Sequence, residues 1–137
     1  MRVLVVDDEE NQIRILSIGL RLEGFDVCAA QSAEEAMDLL REETVELALL
    51  DLMMPGTNGL ELARQLRCSH PEIRVVLTSA YHLSERQLAR ADCGVVGFVP
   101  KPFQMAELAG FLRAKMTPSS RKTLIEGHAE PTPARRA

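Results

Sequence analysis

Four short apolar runs recur along the chain without alternating with polar residues: Val3-Leu4-Val5-Val6, Leu47-Ala48-Leu49-Leu50, Val75-Val76-Leu77 and Val95-Val96-Gly97-Phe98-Val99. Val-rich runs of this length predict strands buried on both faces, as in a parallel sheet covered by helices. A less apolar segment, Phe25 to Ala30, predicts one more strand, nearer an edge. Between the runs the spacing becomes helical. A first helix is predicted to start near Glu9 and stop at Gly24, which suits the left-handed turn after a helix. Ser32-Ala33-Glu34-Glu35 fits a capping box, opening a second helix with Ala36, Leu39 and Leu40 inward. A third carries Leu60, Leu62, Ala63 and Leu66 and is closed by Pro71. A short fourth is predicted from Ser84-Glu85-Arg86-Gln87 to near Gly94, and a fifth places Met105, Leu108, Phe111 and Leu112 inward. Strands alternating with helices in this way predict a doubly wound α/β sheet.

The first helix is more apolar than one buried face requires. Ile13, Leu16 and Leu20 fall on one side and fit a sheet-facing core, while Ile15, Ile18 and Leu22 fall nearly opposite. The second set is expected to form an exposed stripe, which Asn11 extends by one turn. Contiguous exposed apolar surface tends to mark a partner site.

Beyond Met116 the periodicity fails. Residues 1–116 are therefore expected to form the domain and 117–137 a tail or linker, one dispensable for folding. The whole chain of 137 residues is one domain's worth, and 46% hydrophobic with 26% charged residues is ordinary for a globular protein. No apolar run approaches a spanning helix, so no membrane insertion and a cytoplasmic location are expected. The formal charge of −4 disfavours non-specific attraction to nucleic acid. The tail carries Arg121, Lys122, Arg135 and Arg136 against Glu126 and Glu130, so the body is the acidic part. No aromatic residues interleave with these basic ones, and direct nucleic-acid binding is not expected. Cys28, Cys68 and Cys93 are widely spaced and odd in number, which argues against a disulfide framework or zinc site. His70, His82 and His128 are isolated and not at ligand spacing.

Polar residues of a particular kind follow the apolar runs: Asp7-Asp8, Asp51, Thr78 and Lys101. Ligands of open α/β sheets bind beyond the carboxyl ends of the strands, so these residues are predicted to converge on one edge. Three carboxylates in one crevice repel one another unless a cation sits among them. Hard oxygen donors with a lysine opposite suit Mg²⁺ together with phosphate oxygens. A carboxylate can also act as a nucleophile and form an aspartyl phosphate. The metal and ammonium then neutralise charge while the Thr78 hydroxyl donates to a phosphoryl oxygen.

Over residues 2–115 the chain resembles the receiver domain of two-component response regulators. The resemblance is carried by Asp7-Asp8, by Asp51 in Asp-Leu-Met-Met-Pro-Gly-Thr-Asn-Gly, by Thr78, and by Lys101-Pro102-Phe103. It implies a flavodoxin-like five-stranded parallel sheet in the order 2-1-3-4-5 with five helices. It also implies Asp51 as phosphoacceptor, with Asp8 the main metal carboxylate, Asp7 acting directly or through water, and the Met53 carbonyl a further ligand of Mg²⁺. Lys101 would hold the phosphoryl group, its peptide bond to Pro102 would be cis, and Thr78 and Phe98 would be the switch pair. Output would pass through the face of helix four, strand five and helix five to a downstream partner or output domain. Asn11, Ile15, Ile18 and Leu22 would dock a sensor histidine kinase or histidine phosphotransfer protein. Apart from its own phosphorylation and slow hydrolysis, such a module is not an enzyme. Two positions depart from the usual pattern: Ser79 after Thr78, and Pro100 before Lys101.

Other readings compete. A strand-end carboxylate such as Asp8 is commonly a helix cap, Thr78 alone is a strand-end hydroxyl, and Phe98 alone is core. A haloacid dehalogenase-type phosphatase also uses a strand-end Asp, Mg²⁺ and a lysine, but places Asp-x-Asp after strand one, where this chain has Asp7-Asp8-Glu9. A receiver-shaped module that no longer uses phosphate would have no reason to retain converging charges. The chain is either a stand-alone receiver or the input half of a longer DNA-binding or enzymatic regulator.

Overall fold

The computed structural model describes residues 1–80 and 95–116. The predicted fourth helix from Ser84 to Gly94, with Tyr81, His82 and Cys93, lies outside the described residues, as does the stretch 117–137. Strands β1 (Arg2–Val6), β2 (Asp26–Ala30), β3 (Leu47–Asp51), β4 (Arg74–Ser79) and β5 (Val95–Pro100) form one parallel sheet in the order β2-β1-β3-β4-β5. Helices α1 (Glu10–Leu22), α2 (Ala33–Leu40), α3 (Gly59–Ser69) and α4 (Met105–Met116) cover it. The fifth predicted helix is thus α4 among the described residues.

Alternate residues of the central strands face two separate cores, which is how an unalternating apolar run is consumed. Leu4, Val6, Ala48, Leu50, Val75 and Leu77 pack under α2 and α3, through Ala36, Leu40, Leu62, Ala63 and Leu66. Val3, Val5, Leu47, Leu49 and Val76 pack under α1 and α4, through Leu16, Leu20, Leu108, Ala109 and Leu112. Each fully buried Leu or Val contributes ~1.5–3 kcal/mol, so the two layers of β1, β3 and β4 hold the domain together. The run in β5 is less buried than its composition predicts, although its place follows the expected order 2-1-3-4-5. It forms an edge strand, and Val95 to Val99 are only half-buried, because no strand among the described residues pairs with its outer side. The other edge is β2, as its weaker apolarity predicted.

Helix ends follow local chemistry. Ser32 caps α2 by accepting from the Glu35 amide at 3.1 Å, and the Glu35 carboxylate accepts from the Gln31 N–H. Asn58 caps α3 in the same way, accepting from the Glu61 amide at 3.0 Å. Helix α1 ends at Leu22, and Gly24 takes the left-handed conformation with φ +99°. Phe25 is buried core rather than part of β2, one residue inside the predicted boundary. Leu39, Met105 and Phe111, expected to face inward, are half-buried at the margins of the cores, as is Leu60 of the third helix. No described helix is long and apolar enough to cross a membrane.

Candidate functional site

Because all the strands are parallel, their carboxyl ends lie along one edge, and the loops that follow carry the unusual polar residues. Two backbone hydrogen bonds extend the ladder past the strands and fix that edge. The Leu52 N–H donates to the Thr78 carbonyl at 2.8 Å, and the Lys101 N–H donates to the Ser79 carbonyl at 2.8 Å. Asp51 stands opposite Thr78 in the β3–β4 register, and Ser79 opposite Pro100 between β4 and β5. The Lys101-Pro102 peptide is cis. After Asp51 the chain turns back through residues 52–58 and closes with the Gly59 N–H donating to the Leu52 carbonyl at 3.0 Å. Gly59 is required there by close approach, since a Cβ would lie 2.5 Å from the Asp51 carbonyl oxygen.

Asp7, Asp8 and Asp51 each bring a carboxylate oxygen within 4.8 Å of the others. Asp7 and Asp51 are buried and Asp8 is exposed. The Lys101 ammonium lies 3.4 Å from Asp7 Oδ2 and 3.8 Å from Asp51 Oδ1, within reach of both buried acids. Burial, and next the neighbouring Asp7 carboxylate, push Asp51 up to about 6, against the opposing pulls of Lys101 and the Met53 backbone. Neither Asp7 nor Asp8 caps α1, whose N-cap residue is Glu9 without a side-chain cap bond; Asp7 Oδ1 instead accepts from the Glu9 N–H at 3.0 Å, just ahead of the helix. Thr78 is 1% exposed, and its Oγ1 has no hydrogen-bond partner among the described residues. Leaving a buried hydroxyl unpaired costs ~1–3 kcal/mol, so Thr78 is poised for an acceptor that arrives from outside.

Asp8, Glu9, Gln12, Asp51, Met53, Ser79, Ala80 and Lys101 line an open cleft of about 390 Å³ over this cluster. Asp7 and Thr78 lie beneath its surface. The sequence reading did not reach Glu9, Gln12 and Ala80 as lining residues. Helix phase was the available clue, since Gln12 stands one turn after Asp8. Phe98 lies away from the cleft, half-buried against the core under α2 and α3, three residues before Lys101. On α1, Ile13, Leu16 and Leu20 pack inward, while Ile15, Ile18 and Leu22 are 60%, 54% and 83% exposed. Asn11 is exposed on the same helix, and Met53, at 55% exposure, adds apolar surface at the cleft.

Residues 3–113 match the response regulator receiver domain family. The chain belongs to that family. Relatives of this receiver domain include the response regulator MprA of Mycolicibacterium vanbaalenii, 39% identical over 115 residues, which cover 83% of this chain and 49% of that protein. Another is YkoG, an uncharacterized transcriptional regulatory protein of Bacillus subtilis, 35% identical over 121 residues, covering 88% and 53% of the two chains. The receiver domain spans about half the length of the curated relatives it matches. Among solved structures it resembles the response regulator TrrA of Thermotoga maritima in complex with Mg²⁺-BeF, at 32% identity and TM-score 0.74, covering 83% of this chain and 97% of that one. A CheY-like receiver domain from Methanospirillum hungatei shares the fold at 24% identity and TM-score 0.78, covering 89% and 96%. The receiver family assignment, with an acidic strand end on β3 as well as β1, sets aside the phosphatase alternative.

Proposed function

We propose that this receiver domain is a phosphorylation-controlled switch that accepts a phosphoryl group on Asp51 from a histidine of a sensor kinase or phosphotransfer protein. The observation that carries this reading is the convergence of Asp7, Asp8 and Asp51 with the Lys101 ammonium within 4 Å of both buried acids. Three hard oxygen donors, one of them open to solvent, fit Mg²⁺, which keeps several waters. Asp7, Asp8, Asp51 and the Met53 carbonyl would hold it. Bound there, Mg²⁺ supplies charge neutralisation to phosphoryl oxygens.

An Asp51 carboxylate oxygen attacks the phosphorus while the phosphorus–nitrogen bond to the donor histidine breaks and the imidazole leaves. Lys101 follows the phosphoryl group with its ammonium, exchanging one carboxylate partner for a phosphoryl oxygen. The Thr78 hydroxyl, without a partner beforehand, donates to another. The new group adds roughly −1.5 to −2 of charge and three acceptor oxygens, enough to bias a two-state segment. Movement of Thr78 frees space beside β5, and the half-buried Phe98 is the aromatic placed to follow it. The described parts of the resulting output face are β5 and α4. Its partner is a protein or a linked output domain, and the expectation of no nucleic-acid contact concerns the receiver alone, since YkoG is named a transcriptional regulatory protein. The exposed stripe of Ile15, Ile18 and Leu22, extended by Asn11 toward the cleft, suits helix-against-helix docking of the phosphodonor. A cytoplasmic location fits such a role.

Incubation with Mg²⁺ and phosphoramidate should add one base-labile phosphate, detected by intact mass. Asp51→Asn should abolish it, and modification at full yield in that variant would remove the central claim.

A further inference from the structure

We infer that Gln12 is a positioning residue for hydrolysis of the aspartyl phosphate, its side-chain amide holding the attacking water at the mouth of the cleft. This rests on Asp51 as phosphoacceptor. In-line displacement places the attacking oxygen opposite the Asp51 oxygen that leaves, so water must approach from the open side. The groups that grip the phosphoryl lie deeper: Asp7 and Thr78 are buried, and the Lys101 side chain is 21% exposed. Glu9, Gln12, Met53, Ser79 and Ala80 line the cleft without belonging to that set, and of these Ser79 is fully buried and already engaged. A thioether and a methyl group cannot orient water, and the Glu9 carboxylate repels a phosphoryl dianion. Of the other four, Gln12 alone has a neutral side chain that both accepts and donates. Its Oε1 accepts a hydrogen bond from the water.

Gln12 is also well held. It stands in the first turn of α1, whose N-cap residue Glu9 is tied to the site by its N–H donating to Asp7 Oδ1 at 3.0 Å. The Ile13 N–H donates to the Glu9 carbonyl at 3.1 Å, so the helix is formed from its start. The Gln12 side chain is half-buried, and its amide is engaged by no other described residue. As the water oxygen bonds to phosphorus, the phosphorus–oxygen bond to Asp51 breaks and its electron pair returns to the carboxylate. Both hydrogens of the water leave with the phosphate as H₂PO₄⁻.

The full chain would be labelled with phosphoramidate and Mg²⁺, freed of donor, and its loss of phosphate followed in water and in hydroxylamine. Gln12→Leu and Gln12→Ala should slow loss in water about tenfold, the effect of one lost hydrogen bond of ~1.4 kcal/mol. Hydroxylamine attacks the Asp51 acyl carbon instead of phosphorus, so its cleavage rate should change less than twofold, as should the labelling rate. Loss in water that is unchanged or faster in both variants overturns the assignment. So does an equal fall in water and hydroxylamine, which would mean a distorted cleft. Failure of the unsubstituted chain to label would overturn the phosphoacceptor reading as well, whereas normal labelling with unaltered decay overturns this inference alone.

Discussion

Replacing Asp51 with Asn should make the metal-free protein more stable at neutral pH, although it removes the residue on which the function turns. An unfolded Asp titrates near ~3.9, whereas burial and the Asp7 carboxylate push folded Asp51 up to about 6. A folded pKa above the unfolded one means that the native state binds the extra proton between those values. Stability is therefore lost as pH rises from roughly 4 to 6, and the full penalty is present at pH 7. A shift of about two pKa units corresponds to about 3 kcal/mol, and water entering the open cleft should reduce this to ~1–2 kcal/mol. Asn keeps nearly the same shape and an acceptor for the Met53 backbone, and Lys101 retains Asp7 as a partner at 3.4 Å. Urea denaturation in EDTA at pH 7 should give Asp51→Asn a gain of ~1–2 kcal/mol that disappears by about pH 4. Saturating Mg²⁺ should reverse the order, because ligand at 100 times its Kd stabilises the unsubstituted protein by ~2.7 kcal/mol. A variant less stable than its parent at pH 7 without metal, or an advantage undiminished at pH 4, would refute this account of burial and like charge at Asp51.

Gly59→Ala would push a Cβ to within 2.5 Å of the Asp51 carbonyl oxygen and 2.8 Å of Leu52 Cα, both backbone. Overpacking of this kind costs ~1–3 kcal/mol, so the melting temperature should fall by several degrees and labelling should slow as Asp51 is displaced; an unchanged melting temperature would contradict the close approach. Thr78→Val removes a buried hydroxyl without a partner among the described residues and should raise stability by ~1 kcal/mol in denaturant titrations, while slowing phosphoryl uptake. Ile15→Asp and Ile18→Asp, at exposed positions, should leave folding and labelling by phosphoramidate nearly unchanged yet greatly slow transfer from a phosphohistidine protein. Equal loss by both routes, or by neither, would show that α1 is not the docking surface.

What the sequence determined by itself was whatever depends on local order. Unalternating runs such as Leu47 to Leu50 announce strands buried on two faces, Ser32 announces its cap, and each acidic or basic residue of the site sits at a fixed offset from the end of a strand. The opposed faces of α1 follow from helix phase alone, so the exposure of Ile15, Ile18 and Leu22 was legible in advance. Tertiary structure decided what depends on which segments become neighbours. The run Val95 to Val99 resembles the central strands in composition, yet β5 lies at the sheet edge and is half-buried, because order across a sheet is not written in any one strand. Both Asp7 and Asp8 follow β1, but only packing made the first a buried acceptor for the Glu9 N–H and counter-charge to Lys101 and left the second open to solvent. Gln12 entered the cleft for the same reason: its place beside Asp51 at the cleft depends on how α1 packs on the sheet, which the side chains of two elements set together.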